Sequence, residues 1–184
     1  MKLLDAVNLV LPKLGERPVT SLEVKHPTLA VLLPIIEQTQ INTLQRGWWF
    51  NEFEYTAYPN LQGEIDIGVD CLSFVPNSDG EAIVRGQRLY NPKTLTFVFD
   101  APVKGRLVQN VVFDELPESA ATYVFYSSLI EAYTTDLGVT QELSVWQGLA
   151  GRAWSDLLAE HLRQRKHSTR KTRAWRKLIR AMQG

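Results

Sequence analysis

The sequence predicts an α+β fold: a helical bundle with an inserted antiparallel β-sheet region and a long C-terminal helix. Three observations lead to this prediction. Apolar residues recur at helical spacing up to Arg46, they alternate with a period of two between Trp48 and Val112, and helical spacing returns after Pro117. A chain of 184 residues has room for one such domain with an appendage.

The first helix is predicted over residues 3–14, where apolar side chains fall at i, i+3, i+4 and i+7. Pro12 removes one backbone hydrogen bond, so the last turn is expected to be irregular. Gly15 then ends the helix, and Pro18 stiffens the connection that follows. Asp5 interrupts the apolar residues at the start, which favours an amphipathic helix over a signal peptide.

The second helix is predicted over residues 26–46, with Pro27 at the favoured first position. Pro34 lies in its interior and predicts either a kink or a later helix start. Gly47 is the residue type that takes the left-handed conformation just past a helix end, so the helix is expected to close there.

Short strands are expected within a β region of residues 48–113, separated by turn residues. They are placed near 49–57, 64–75, 82–90, 94–99 and 106–113. The aromatic residues Trp48, Trp49 and Phe50 open this region. Adjacent residues of a strand face opposite sides, so Trp49 and Phe50 cannot both point into one core. One of them is expected to contact a neighbouring element or a neighbouring subunit.

Two further helices are predicted over residues 117–137 and 139–165. Pro117 takes the first helical position, and Glu118 places an acid in the positive first turn. Gly138 separates the two helices, since glycine commonly ends a helix.

The net charge of zero conceals two oppositely charged segments. Residues 1–160, which we call the body, hold all 20 acids and 11 bases, a net charge of −9. Residues 161–184, which we call the tail, hold no acid and nine bases, a net charge of +9. This division indicates that the tail meets something acidic: another copy of the body, a different protein or nucleic acid.

The tail carries two apolar stripes joined by a polar run. The second stripe, formed by Trp175, Leu178, Ile179 and Met182, predicts a compact basic amphipathic helix. Such a helix docks in an acidic protein groove, on DNA phosphates or on an anionic membrane surface, or it stays solvated. Apolar anchors at helical spacing favour the protein groove.

Patterns for catalysis and metal binding are poor. The histidines His26, His161 and His167 have no second ligand at metal spacing, and we interpret them as solvated or capping residues. Glu52 and Glu54 share one strand face, a pattern more typical of solvent-facing acids than of a hydrolase pair. We therefore expect no enzyme activity and no cofactor.

The single cysteine, Cys71, excludes an internal disulfide framework and fits synthesis in a reducing cytoplasm. It is expected to be a small apolar residue of a strand. No apolar run reaches the length of a membrane span.

Four sequence blocks stand out by their order and separation. They are Leu14-Gly15-Glu16-Arg17-Pro18-Val19-Thr20-Ser21-Leu22, Gln45-Arg46-Gly47-Trp48-Trp49-Phe50-Asn51, Arg88-Leu89-Tyr90-Asn91 and Phe113-Asp114-Glu115-Leu116-Pro117-Glu118. Together they resemble the tail tubular protein A family of short-tailed bacteriophages (podoviruses), also called adaptor or gatekeeper proteins. The resemblance runs from about Ala6 to about Leu137.

The resemblance implies a virion structural protein that forms a dodecameric ring below the portal protein and above the tail nozzle protein, tail tubular protein B. Such a ring prolongs the channel through which DNA is ejected and offers an attachment surface for tail fibres. It implies a location in the virion tail after synthesis in the bacterial host cytoplasm, and no catalytic residues. The acidic body suits a channel in which DNA slides without binding.

Other functions stay open. A head-completion protein of the phage neck is a close relative of the adaptor hypothesis. A DNA-binding module would grip nucleic acid with the basic tail and would lose affinity steeply with salt. A small soluble enzyme would need convergent polar groups that the sequence does not reveal.

Two sets of residues are candidates for contact surfaces. For packing between subunits they are Trp48, Trp49, Phe50, Glu16, Arg17 and Pro18, with ordinary core packing as the alternative for the aromatic residues. For contact with the portal or a neighbouring subunit they are Arg163, Arg165, Lys166, Arg170, Lys171, Arg173, Trp175, Arg176, Lys177, Leu178 and Arg180.

Overall fold

The computed structural model describes residues 1–78, 80–137 and 141–165. Its elements follow the order helices, strands, helices, which confirms the predicted α+β fold. The helices are α1 (Leu3–Val10), α2 (Pro27–Leu44), α3 (Glu118–Leu137) and α4 (Gln141–Gln164); the strands are β1 (Glu52–Ala57), β2 (Cys71–Pro76), β3 (Ile83–Arg85), β4 (Arg88–Tyr90) and β5 (Val103–Gln109).

The prolines and glycines shape the first two helices largely as predicted. α1 passes into a short 3-10 helix at Leu11–Leu14, as expected from Pro12, and Gly15 ends it with a φ of 78°. α2 begins at Pro27 and continues through Pro34, so the alternative of a later start is wrong. The kink at that proline stays a prediction.

The last two helices agree with their predicted bounds to within two residues where the structure describes them. α3 packs against α2 on one side and against α4 on another. The glycine predicted to separate α3 from α4, Gly138, lies outside the described residues.

β5 is the central strand of a three-stranded antiparallel sheet in the order β1-β5-β2, and β3 and β4 form a separate hairpin. β1 and β2 begin later than predicted. Residues 48–51 form a turn before β1, and residues 64–70 make only isolated bridges before β2. The fifth strand lies earlier than the predicted 106–113, because the chain leaves the sheet after Gln109 and enters a 3-10 helix at Phe113–Glu115.

The strand predicted at 94–99 is wrong, although its alternation of apolar and polar residues is clear. The Asn91 side chain accepts hydrogen bonds from the amides of Lys93 and Thr94, at 2.9 and 3.3 Å. Leu95 then takes a positive φ of 57°, which no strand residue has. An asparagine that satisfies the next backbone amides favours a turn over a ladder.

Two apolar cores hold the chain. The helical core includes Val7, Leu29, Leu32, Leu44, Trp48, Val124, Leu129 and Leu157, drawn from all four helices and from the turn after α2. The sheet core includes Ala57, Ile65, Phe74, Leu89, Phe99, Val103 and Leu107. The helices bury one core and the strands bury the other. Contacts between the helices and the strands therefore join the two cores into one body.

The block at Phe113–Glu118 caps the N-terminus of α1 from a distant part of the chain. Asp114 Oδ1 accepts a hydrogen bond from the Leu3 amide at 2.7 Å, and its other oxygen lies 3.5 Å from Lys2 Nζ. Glu118 accepts from the N-terminal amino group at 2.5 Å. The first amides of a helix have no partner within the helix, so these carboxylates satisfy donors that would otherwise need water.

Gly105 in β5 lets a neighbouring strand approach closely. A Cβ atom at this position would lie 2.5 Å from the carbonyl oxygen of Val75 and 2.6 Å from the ring of Phe74. The backbone oxygen cannot move without disturbing the ladder between β2 and β5. The sheet core therefore requires glycine here.

Cys71 begins β2 and is half-buried, and this burial raises the pKa of its thiol. The thiol is thus protonated at neutral pH, in agreement with an apolar role. Within the described residues, no helix is both long enough and apolar enough to cross a membrane.

Replacing Gly105 with Ala is expected to lower the free energy of unfolding by about 1–3 kcal/mol, because the added methyl group overpacks the contact between β2 and β5. Urea unfolding measures the change. Gly148→Ala is the matched control: a Cβ there meets no atom within 4 Å and improves helix α4, so stability should rise by about 0.5–1 kcal/mol. A Gly105→Ala protein as stable as wild type would contradict the close approach.

Replacing Asp114 with Asn is expected to reduce the loss of unfolding free energy that accompanies acidification. The hydrogen bond from the Leu3 amide, and then Lys2, hold the pKa of Asp114 below its ordinary value of 3.8. A carboxylate with a lowered folded-state pKa stabilises the fold above its unfolded-state pKa, and this contribution is lost as the pH falls through the folded-state pKa.

Urea midpoints at about pH 6 and about pH 3 test this dependence. The wild type should lose more stability on acidification than Asp114→Asn. The exposed Asp100→Asn is the control and should follow the wild type. Equal losses for wild type and Asp114→Asn would show that the cap contributes nothing.

Candidate assembly surfaces

The segment after α2 turns the chain from the helical core into the sheet. Gln45 and Arg46 complete the helix end, and Gly47 takes the predicted left-handed conformation, with a φ of 72°. A Cβ atom on Gly47 would meet the Glu52 carboxylate at 3.0 Å. Residues 48–51 then form a turn and not the start of a strand.

Asn51 is completely buried at the centre of this turn, and its side chain joins three elements. Its Oδ1 accepts from the Trp48 amide at 2.8 Å, and its Nδ2 donates to the carbonyls of Leu44 at the end of α2, at 3.1 Å, and of Gln109 at the end of β5, at 2.9 Å. The Gln109 amide in turn donates to the Asn51 carbonyl at 2.8 Å. We call this group of bonds the Asn51 junction.

Trp48 lies inside the helical core, with only 3% of its surface exposed. Its Nε1 donates to the Thr43 carbonyl at 2.8 Å. The rings of Trp154 and His161, both in α4, meet it edge to face with centroids 5.4 and 5.3 Å away. Its contacts are core contacts of one chain, and His161 is a packing residue, so the prediction of a solvated or capping histidine at that position is wrong.

Trp49 and Phe50 pack on each other and do not occupy opposite faces of a strand as predicted. Their ring centroids are 4.9 Å apart in an edge-to-face arrangement, and both are half-buried against the helical core. The turn permits this, because adjacent residues of a turn do not alternate between two faces. Their part-exposed rings lie at the surface, and their role in subunit packing stays a prediction.

The end of α4 is fixed against the start of β1. Glu52 accepts a hydrogen bond from Arg106 at 3.3 Å and a second from Arg165, a residue predicted to contact another protein. Ser119 Oγ donates to Glu160 at 2.5 Å, which holds α4 against the start of α3. α4 runs to Gln164 and so crosses the body boundary that was set at residue 160. These contacts hold its end in a fixed position against the body.

Beyond these contacts, α4 presents an apolar pair to solvent. Leu158 and Leu162, one helical turn apart, are 41% and 44% exposed, and Arg163 beside them is exposed. The other predicted tail contacts lie outside the described residues: Lys166, Arg170, Lys171, Arg173, Trp175, Arg176, Lys177, Leu178 and Arg180.

The loop residues Glu16, Arg17 and Pro18 are exposed, as a contact surface requires. Asn8 anchors the loop by exchanging hydrogen bonds of 2.9 and 2.8 Å with the backbone of Val19. Glu16 lies 3.8 Å from His26, which directly precedes α2, whereas the aromatic turn follows α2, and an 18-residue helix separates its ends by about 27 Å. The two predicted packing surfaces are thus far apart.

The carboxylates that suggested a hydrolase pair have other partners. Glu52 pairs with two arginines, and Glu54 accepts from Asn77 at 3.3 Å. Among the described residues, no group of three His, Cys, Asp or Glu side chains is placed to hold a metal ion. The arrangement supports packing and charge pairing.

Sequence reasoning did not identify the role of Asn51, although the residue belongs to one of the four blocks. The available signal was an asparagine shortly after a helix-ending glycine, because asparagine side chains bond the backbone of nearby turns. Its bond to Gln109, 58 residues away, had no local signal.

Two comparisons with known proteins bear on these surfaces. A family described as tail tubular protein matches residues 4–167 of the chain. Tail tubular protein A of Klebsiella phage KP34 is 34% identical over 182 residues, which cover 98% of each chain. The second match includes nearly all of the tail as well as the body.

Replacing Asn51 with Ala is expected to lower the free energy of unfolding by about 2–4 kcal/mol, because it removes three hydrogen bonds, of which those to the Trp48 amide and the Leu44 carbonyl are buried. Urea unfolding measures the change. Asn42→Ala, an exposed position of α2, is the control and should change stability by less than about 0.5 kcal/mol. Equal effects at the two positions would contradict the importance of the Asn51 junction.

Proposed function

The chain belongs to the tail tubular protein family, as its four sequence blocks predict, and we propose that it forms an adaptor ring between the portal and the tail nozzle of a short-tailed phage. Membership makes it a structural component of a phage virion tail, made in the host cytoplasm. The ring and its neighbours in the virion are the proposal.

The match to a tail tubular protein over nearly the whole chain carries this proposal. A chain of 184 residues encloses a channel only as many copies around an axis. Identical subunits close into a ring when each one binds the next through two different surfaces. A dodecameric ring of this kind on the portal builds a tube from copies of a single protein.

The end of α4 supports attachment to the portal. Leu158 and Leu162 expose an apolar pair beside Arg163, and nine bases follow from residue 163 onward. The contacts of Glu160 and Arg165 fix the end of α4 against the body. An apolar stripe with basic flanks fits an acidic groove on a partner protein, either the portal or the adjacent subunit.

The acidic body suits a channel that DNA crosses without binding. The body carries a net charge of −9, and phosphate binding requires bases. The proposed ring therefore extends the ejection channel and does not hold the genome by charge. Its distal side receives the nozzle protein, and tail fibres attach at its outer surface.

Removing residues 166–184 is expected to abolish stable attachment to the portal while leaving the body folded. This cut keeps His161, which packs on Trp48, and Arg165, which pairs with Glu52. Co-sedimentation with the portal protein of the same genome measures attachment, and urea unfolding checks the fold. Attachment that survives the cut would overturn the role of the tail.

Two substitution variants distinguish a protein groove from phosphate contacts. The double variant Trp175→Ser and Leu178→Ser removes apolar anchors, whereas Arg170→Gln and Lys171→Gln removes the same number of bases. If the tail docks in a protein groove, the first variant should lose more portal binding than the second, and the binding affinity should depend only modestly on salt. A larger loss for the second variant, with binding to DNA that falls steeply with salt, would favour the DNA-binding function.

Electron microscopy of the protein mixed with the portal tests the function as a whole. We expect a closed ring stacked coaxially on the portal, with one copy of this protein in each rotational repeat of the ring. Failure to bind the portal at any salt concentration would overturn the adaptor proposal.

A further inference from the structure

The outer edge of β1 has the properties of a strand that is covered in an assembly. Among the described residues, β1 pairs with β5 on one side only. Asn51 and Gln109 form a hydrogen-bonded pair, so the alternation of an antiparallel ladder directs the backbone groups of Glu54 and Thr56 outward. The strand contains no proline, lysine or bulge, the features that usually protect such an edge.

Aromatic side chains lie along the same strand. Phe53 and Tyr55, two residues apart and therefore on one face, are 41% and 40% exposed, and Tyr58 just beyond the strand is 70% exposed. The opposite face carries Glu54, whose carboxylate meets only an asparagine amide among the contacts described. The edge thus combines unpaired backbone, an apolar row and a negative charge.

The hairpin of β3 and β4 lies beside the opposite edge of the three-stranded sheet. β3 contacts β2, the strand at the opposite edge from β1. All three β3 residues are exposed, with Ile83 at 42% and Val84 at 38%. Arg85 places its guanidinium 3.6 Å over the ring of Tyr90. The hairpin thus presents an apolar strand and a positive charge.

We propose that the outer edge of β1 in one copy packs against the β3 strand of the next copy, so that neighbouring subunits contact each other laterally through their sheets. Glu54 meets Arg85 on one face of this contact, and Phe53 and Tyr55, on the other face of β1, cover Val84, on the other face of β3. The two surfaces differ: one is the β1 edge of the three-stranded sheet, and the other is the hairpin beside β2 at its opposite edge. Two different surfaces are what a head-to-tail ring contact requires. The proposal rests on the ring of the proposed function and assigns its lateral surface.

Cysteine cross-linking between two differently tagged chains tests the contact. In a Cys71→Ser background, one chain carries Glu54→Cys and the other carries Arg85→Cys, and the mixture is assembled on the portal before oxidation. In an equal mixture we expect a disulfide between the two tags at up to about a quarter of the contacts, because a head-to-tail contact pairs the two cysteines in only one of the four possible orders of neighbours. Replacing Glu54→Cys by Glu37→Cys, an exposed position of α2, is the matched control and should give no cross-link.

The outcomes separate this contact from the ring itself. Rings on the portal without a cross-link between positions 54 and 85 would overturn the contact and leave the adaptor function standing. If no ring forms on the portal, the same oxidation is done on the concentrated protein alone. A cross-link there supports the contact although the adaptor function has failed, and its absence overturns both.

Charge reversal gives an independent measurement. Glu54→Arg alone and Arg85→Glu alone should each reduce the ring yield by at least about tenfold, because each places like charges across the contact. The double variant, with both changes in one chain, should restore the yield. Urea unfolding confirms that each variant is folded. Reduced yield in the double variant, at unchanged stability, would contradict the pairing.

Discussion

The Asn51 junction is the constraint on which the rest of the structure depends. A single buried side-chain amide bonds the carbonyl that ends α2, the carbonyl that ends β5 and the amide that begins the turn between α2 and β1. Buried backbone groups without partners are costly, so the helix end and the sheet must meet at this point. The helical core and the sheet core are thereby joined in one orientation.

The residues around the same junction also position the end of α4. Trp48 follows the helix-ending glycine directly and is placed in the core, where two rings of α4 pack against it. Glu52, the first residue of β1, then pairs with Arg165. The end of α4, as far as Arg165, consequently has a fixed position relative to the sheet.

Much of the fold was predictable from local patterns. Helix bounds followed from Pro27, Gly15 and Gly47, because their backbone preferences act within a few residues. The turn at Trp48 and the loss of the strand after Asn91 were not predictable from alternation, since side-chain hydrogen bonds to the backbone decided both. Contacts such as Arg165 with Glu52 join residues 113 positions apart, and no local pattern reports them.

Hydrogen exchange at the indole N–H of Trp48 tests the central claim most directly. This group donates to the Thr43 carbonyl, and the backbone amide of the same residue is bonded in the Asn51 junction. If the junction holds the two cores together, the indole exchanges only when the whole chain unfolds, and its opening free energy equals the free energy of unfolding from urea titration. Exchange with a much smaller opening free energy would show that the junction opens while the cores stay folded, which would contradict the account.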